Sequence, residues 1–388
     1  MILDPISWGA SAWDDGFPGG EEARQMDVSI GIIAWNEEKS IGRALESLFR
    51  QTLFGKLAQR GLRCEIVCVA NGCTDGTSDV VTKIFADQSH RHPCREIFSC
   101  RHLDLKERGK INAWNCFVHQ LSAPDARFLF LMDADIVINE TEALWNMVAA
   151  LEGNPHAVIS TDKPCKHIAA RRRKSFAERL SLRAGQMTRA GQAQLCAQLY
   201  CIRAETARRI HLPKDLPACE DGFIKAIVCT DFLTRDVNPL RIMTAPGASH
   251  TFEAYTTLRG VLRNQKRQMI GQAAVHVLVD DYLKTLAVSE RKNLAGTLRE
   301  KDRKDPLWLK QLIAEHVRQT RFFWRLVPGL VGFRFHRLAR LKGFGKITCL
   351  PAAMAGFVLS MLSSFLAYGF LKKGGVSYWP HAKSPGQK

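Results

Sequence analysis

Phe128-Leu129-Phe130-Leu131-Met132-Asp133-Ala134-Asp135 is an unbroken apolar run that stops on two carboxylates, the pattern of a strand covered on both faces as it leaves a parallel sheet. Alternate side chains of a strand share a face, so Asp133 and Asp135 can point the same way. They would then offer hard oxygen ligands to Mg²⁺ or Mn²⁺, an ion whose obvious task is to hold a diphosphate. Alone the triplet is weak, because ordinary Asp usage gives about one Asp-x-Asp by chance in a chain of this size. Its place after a strand, and its neighbours, give it weight.

Upstream, apolar runs alternate with amphipathic stretches. Val28 to Ala34 reads as a strand, and Ile41, Leu45, Leu48 and Phe49 share one helical face. Ile66 to Ala70, a helix near Ser78 to Ala86, a strand near Arg95 to Cys100 and a helix from about Gly109 to Leu121 follow. Beyond Asp135 come a helix from about Glu140 to Leu151, Ala157 to Ser160, Gln198 to Arg203, a helix at Asp221 to Cys229 and another over Leu258 to Val279. This βαβ rhythm predicts an α/β fold, a doubly wound, mainly parallel sheet with its ligand site at the carboxyl ends of the strands.

Composition agrees. At 388 residues and 46% apolar content the chain can bury one large domain and something smaller. Its 55 Lys and Arg against 38 Asp and Glu give +17, which suits polyanions such as acidic lipid or phosphorylated substrates. Nucleic acid is not expected, since no zinc-finger or RNA-binding signature is present and the run Arg171-Arg172-Arg173-Lys174 lacks interleaved aromatics. The 12 cysteines are scattered singly and fit a reducing compartment. His90, His92, Cys94, Cys100 and His102 have zinc-ligand chemistry, but their spacing matches no common zinc module and an ordinary loop and strand is the simpler reading.

At the strand ends, Asn36 and Glu37 lie where an α/β sheet receives a base or ribose, although alone they read as an ordinary N-cap. Asn71-Gly72-Cys73-Thr74-Asp75-Gly76-Thr77 ends the second strand; Asp75 there either contacts a nucleotide or caps the next helix. Arg108-Gly109-Lys110 opens a helix carrying Asn112 and Asn115, placing cationic donors and a helix N-terminus where phosphates would sit.

Taken together with Glu220-Asp221-Gly222, these motifs in this order resemble the family-2 glycosyltransferases of GT-A fold, over about Asp27 to Gly271. The resemblance implies that Asp133 and Asp135 hold the cation on a nucleotide-diphosphate sugar and that Asp221, supported by Glu220, is the general base. A single displacement at an anomeric carbon needs both, and inverts that carbon. Acids at Glu220-Asp221 also suit a helix start. Asn36, Glu37, Asn71, Asp75, Lys110 and Asp133 are the expected nucleotide-sugar contacts. Processive members carry Gln-x-x-Arg-Trp, whereas this chain reads Asn264-Gln265-Lys266-Arg267-Gln268, keeping an arginine for the diphosphate and losing the tryptophan. Transfer of one or a few sugars, not polymerisation, is therefore expected. His250 reads as a further metal ligand, a phosphate donor or a structural histidine.

The carboxyl-terminal region changes character. Ile347 to Leu371 are 25 residues without a charge, about 37 Å as a helix against a hydrocarbon core of about 30 Å. Lys342, Lys346, Lys372, Lys373 and Trp379 flank it as interfacial anchors would. Ala352, Gly356, Ser360 and Ser364 form a small-residue stripe that would let another helix pack closely, as in a helix-mediated homo-oligomer. Arg334, Arg337 and Arg340 line one face of a basic segment after Phe322, Phe323 and Trp324. The expected organisation is a loose arm at 1–26, a GT-A domain at 27–285, a linker and basic amphipathic region at 286–346, a transmembrane helix at 347–371 and a tail at 372–388.

The expected activity is thus an inverting transfer to a hydroxyl on a glycan or lipid-linked acceptor, in envelope, lipid-linked or exopolysaccharide glycan synthesis. The catalytic domain would sit on the cytoplasmic side of the membrane. Two rivals are a nucleotidyltransferase, for which Trp35-Asn36-Glu37-Glu38 offers no Gly-rich phosphate loop, and a non-catalytic membrane scaffold, against which the intact Asp133, Asp135 and Asp221 stand.

Overall fold

The computed structural model describes residues 26–375 apart from 172, 174, 176–177, 180–181, 183–193, 218, 256, 333–335, 337 and 340–344. The expected arm before residue 26, and Arg334, Arg337, Arg340, Lys342 and Trp379, lie outside the described residues.

Strands β1 (Met26–Ala34), β2 (Arg63–Asn71), β3 (Phe98–Leu105), β4 (Phe128–Asp133), β5 (Val137–Ile138), β6 (Ile159–Lys166), β7 (Leu199–Arg203) and β8 (Ile242–Phe252) form one 8-stranded sheet. Its order is β3-β2-β1-β4-β7-β6-β8-β5. β3, β2, β1 and β4 are parallel neighbours, β7 runs antiparallel to β4 and β6, and β8 pairs parallel with β6 and antiparallel with β5. The sheet is therefore mixed and mainly parallel.

Alternation explains the apolar runs. Val28, Ile30, Ile32, Phe128, Phe130 and Met132 enter one core with the helices Ile41–Phe49, Leu53–Gln59 and Ala143–Glu152. Ile33, Leu129 and Leu131 enter the other, with Trp114 and Phe117 of the stretch Lys110 to Leu121. Both faces are covered, so no polar alternation survives.

Several expectations shift. The third strand begins at Phe98 because Arg95–Ile97 make a tight 3₁₀ turn. β8 was not expected at all: Pro246-Gly247 inside it reads as a turn, yet sits in a bulge where the pairing jumps from Thr161↔Thr244 to Lys163↔Ser249. The first part of the expected linker and basic region at 286–346 holds the helices Val288–Lys292 and Leu294–Lys304. Leu294 and Leu298 from it, with Trp308, Leu309, Ile313 and Val317 of the helix Trp308–Gln319, complete the same core as the sheet. The folded domain thus continues past 285, because charges cover only the outer faces of these helices.

The apolar segment forms one helix, Gly345–Lys372, whose Cys349–Lys372 part is long and apolar enough to cross a membrane by length and composition. Ser360 and Ser364 of the expected small-residue stripe are buried. Ser364 Oγ donates to the Phe323 carbonyl at 2.8 Å, so that side packs on this chain's own body.

The Phe117 ring lies flat over Gly31 of β1, where an added Cβ would meet it at 2.6 Å. Gly31→Ala is expected to lower stability by about 1–3 kcal/mol through overpacking. Gly55→Ala, with nothing within 4 Å, should instead be neutral or stabilising by up to about 1 kcal/mol. Thermal unfolding of both variants checks the contrast.

Candidate active site

The loops after β1 and β2 are tied to each other by the polar residues that end the strands. Asn36, at φ 55, accepts the Thr74 N–H at 2.8 Å and donates to Thr74 Oγ1 at 3.2 Å. Asp75 accepts the N–H of Thr77 at 3.1 Å and of Glu38 at 3.2 Å, bridging the start of helix Thr77–Arg91 to the first loop. Buried Asn71 accepts the Gly109 N–H at 2.8 Å. Asn36, Asn71 and Asp75 therefore hold the cradle in shape. Gly72, at φ +66, lets the chain turn where an added Cβ would meet the Arg108 side chain at 3.1 Å. The Arg108 guanidinium lies 4.7 Å from the Trp35 ring.

Lys110 joins the two halves of the site. Its Nζ is 2.7 Å from Asp133 Oδ1 and 2.9 Å from Glu220 Oε1, so the end of β4 meets the start of helix Glu220–Cys229. Burial opposes the ammonium charge, but the two carboxylates outweigh it and raise its pKa. Burial likewise opposes ionisation of Glu220, and Lys110 wins, holding that carboxyl below its usual range.

The remaining acids are pushed the other way. Burial first, then the charge of Glu220, lifts Asp221 to about 6, although its carboxylate accepts the Gly222 N–H at 2.8 Å. Asp135 rises to about 6, through burial and then Asp133. It is open to solvent, yet protein replaces enough of its hydration shell for burial to count. Glu37 rises to about 7, through burial and then Asp135, against a bond from Ser40. Asp133 and Asp135, at and just past the end of β4, are hard-oxygen donors of the type that Mg²⁺ or Mn²⁺ takes.

Arg267, on helix Leu258–His276, is near enough for its charge to lower the Asp221 pKa. Cys219, just before the catalytic candidates, holds φ 112. Such a conformation costs a non-glycine residue about 1–3 kcal/mol and concentrates at functional sites. Its Sγ donates to the Gln268 carbonyl at 3.7 Å.

His250 is fully buried with both ring nitrogens engaged, Nδ1 at 2.6 Å from Asp162 Oδ2 and Nε2 at 3.4 Å from Gln198 Oε1. Burial disfavours a charged ring, but the bond to Asp162 outweighs it and lifts His250 to about 10. The Gln198 carbonyl also accepts the Asp133 N–H at 2.8 Å. Asp162 and Gln198 were not anticipated, as neither stands in a recognisable motif. In the other cluster, His92 packs on Phe49, Phe54 and Phe98 and uses both nitrogens on backbone groups of Phe49 and Cys94. Among the described residues no three His, Cys, Asp or Glu side chains gather as a ready metal cage.

A mainly parallel α/β sheet with Glu37, Asp75, Lys110, Asp133 and Asp135 at or after the carboxyl ends of β1 to β4 is of the class whose ligand site lies at that edge. Residues 29–206 match the family model of glycosyl transferase family 2. The sheet is of GT-A type. The mannosyltransferase PcManGT from Pyrobaculum calidifontis, solved with GDP-Man and Mn²⁺, has a similar fold: TM-score 0.50 and 15% identity, over 90% of this chain and 88% of that one. S. aureus TarS 1–349 gives a TM-score of 0.44 and 15% identity, over 90% of this chain and 92% of that one. No curated protein matches the sequence.

Lys110→Met would leave Asp133 and Glu220 close together without their shared cation, and should destabilise by about 3–5 kcal/mol. Adding Glu220→Gln should recover part of that loss, a coupling that a double-mutant cycle of denaturation free energies reads directly.

Proposed function

We propose that the protein is an inverting, divalent-metal-dependent glycosyltransferase that moves a sugar from a nucleotide-diphosphate donor to a hydroxyl on a glycan or lipid-linked acceptor, at the cytoplasmic face of a membrane. The observation that carries this reading is Lys110, which lies within 2.9 Å of both Asp133 and Glu220 and so joins the end of β4 to the helix start that carries Asp221. That a protein of similar fold is described with GDP-Man and Mn²⁺ supports it by analogy.

Asp133 and Asp135 would hold the cation, which when bound would offset the charge of the departing diphosphate. Asp221, ionised above about pH 6, takes the acceptor hydroxyl's proton as the new oxygen–carbon bond forms and the bond to diphosphate breaks. Glu220, kept ionised by Lys110, sustains the field that raises Asp221. Arg267 and Lys110 supply cationic donors for the diphosphate, while Asn36, Asn71, Asp75 and Glu37 shape the nucleoside side. His250 reaches a metal only by giving up Gln198.

Thermal shift with Mn²⁺ and a panel of UDP- and GDP-sugars should show stabilisation by at least one donor. Asp135→Ala should lose it, and Asp221→Asn should keep it while turnover falls by about 10²–10⁴. No turnover across the panel, with Asp135→Ala binding nucleotide as well as the parent, would defeat the proposal.

Turnover should also fall about tenfold per unit as pH drops below about 6, where Asp221 becomes protonated. Stability should move oppositely. The folded pKa of Asp221 lies above its ordinary 3.8, so the ionised form is a burden above about pH 6 that is relieved as pH falls. Asp221→Asn is therefore expected to raise Tm at pH 7.5, with the gain vanishing below about pH 4.

A further inference from the structure

We propose that the helix Gly345–Lys372 lies along an anionic lipid surface, dipping one face into a single leaflet, and does not cross the bilayer. This deepens the membrane part of the function above and is independent of the sugar chemistry.

The helix is amphipathic in an inverted sense. Leu350, Met354, Val358, Leu362 and Phe365 are exposed, at 45, 49, 62, 45 and 57%. At about 100° per residue they fall within roughly a third of the helix circumference. Ala353, Ser360, Ser363, Ser364, Ala367 and Leu371 occupy the opposite side and are buried. A helix on a soluble protein turns its apolar side inward; this one turns small and hydroxyl side chains inward and large apolar ones out.

Its second half is a wall of the domain. Ser364 Oγ donates to the Phe323 carbonyl at 2.8 Å and Tyr368 Oη to the Thr320 carbonyl at 2.9 Å. Ala367 and Leu371 enter the core that holds Ile270, Ala274 and Ile313. The part before Met361, from Gly345 to Ser360, is about 24 Å of helix, short of a hydrocarbon core of about 30 Å.

Charge selects lipid over a second copy of the chain as the occupant. From His316 to Lys388 there is no Asp or Glu and there are 12 Lys and Arg. Exposed Arg321 and Arg325 flank Phe322 and Trp324, whose rings stack at 4.6 Å. Phe323, between them, meets the exposed Phe365 edge to face at 5.5 Å. Two copies meeting here would set positive charge on positive charge, whereas anionic headgroups would complement it, with aromatic rings at headgroup depth.

The full-length protein should co-sediment with vesicles of phosphatidylcholine plus phosphatidylglycerol at least tenfold better than with phosphatidylcholine alone. Added salt should weaken that binding, and alkaline carbonate should release the protein from membranes. Val358→Glu with Phe365→Glu should abolish binding while transfer to a water-soluble acceptor stays unchanged, so a failure here is distinct from a failure of the enzymatic reading. If that pair loses its fold by circular dichroism, Arg321→Glu with Arg325→Glu tests the charge arm and should cut anionic-vesicle binding at least tenfold. Carbonate-resistant insertion, equal binding to neutral vesicles, or a stable dimer that either variant splits without changing vesicle binding would overturn the proposal.

Discussion

One ammonium group holds this site together. Lys110 reaches Asp133 and Glu220 from a helix whose first residue it supplies, and without that bridge the β4 acids and the Glu220–Asp221 pair would repel across a partly dry interior. A single positive charge cannot satisfy Glu37, Asp133, Asp135, Glu220 and Asp221 together. Burial first, and then this surplus, push Glu37, Asp135 and Asp221 upward. A polypeptide keeps such a surplus at a stability cost, and the usual reason is a ligand of opposite charge. The proposed divalent cation on a diphosphate would meet that requirement, since it would add positive charge next to the carboxylates while the diphosphate's own charge would face Lys110 and Arg267.

Strain is placed beside that surplus. Cys219 holds its left-handed conformation immediately before Glu220. The surrounding contacts maintain it: the Cys219 N–H donates to Glu220 Oε2 at 3.2 Å, and its thiol binds the Gln268 carbonyl. Backbone geometry, the Glu220 bond and the lysine bridge thus act on the same short turn, fixing where Asp221 leaves the helix start. Asp162 and His250 perform a similar service behind β4, where Gln198 touches both the His250 ring and the Asp133 amide.

What the sequence disclosed follows from how local each signal is. The runs in β1, β2 and β4 are apolar because helices cover both faces of the sheet, and Asp133 and Asp135 stand out because they end such a run. β8 stayed hidden because Pro246-Gly247 gives a turn signal that only its bulged pairing with β6 explains. The helices Leu294–Lys304 and Trp308–Gln319 stayed hidden because their many charges lie on solvent faces while Leu298, Leu309 and Ile313 are fully buried. The lysine bridge and the Asp162–His250 pair join residues far apart in the chain, a relation that no spacing rule encodes. The cradle residues Asn36, Asn71 and Asp75 were legible as a place before they were legible as its internal bonding.

The helix Leu258–His276 gives the site a second connection, toward the carboxyl-terminal helix. Lys266, Arg267 and Gln268 address three different neighbours, the first two through their side chains and Gln268 through its backbone carbonyl. Lys266 lies 4.4 Å from the Phe370 ring, Arg267 lends its charge to Asp221, and the Gln268 carbonyl takes the Cys219 thiol. A rigid helix cannot move one of these without the others. The turn that carries Asp221 and the carboxyl-terminal helix thus pack on one and the same helix.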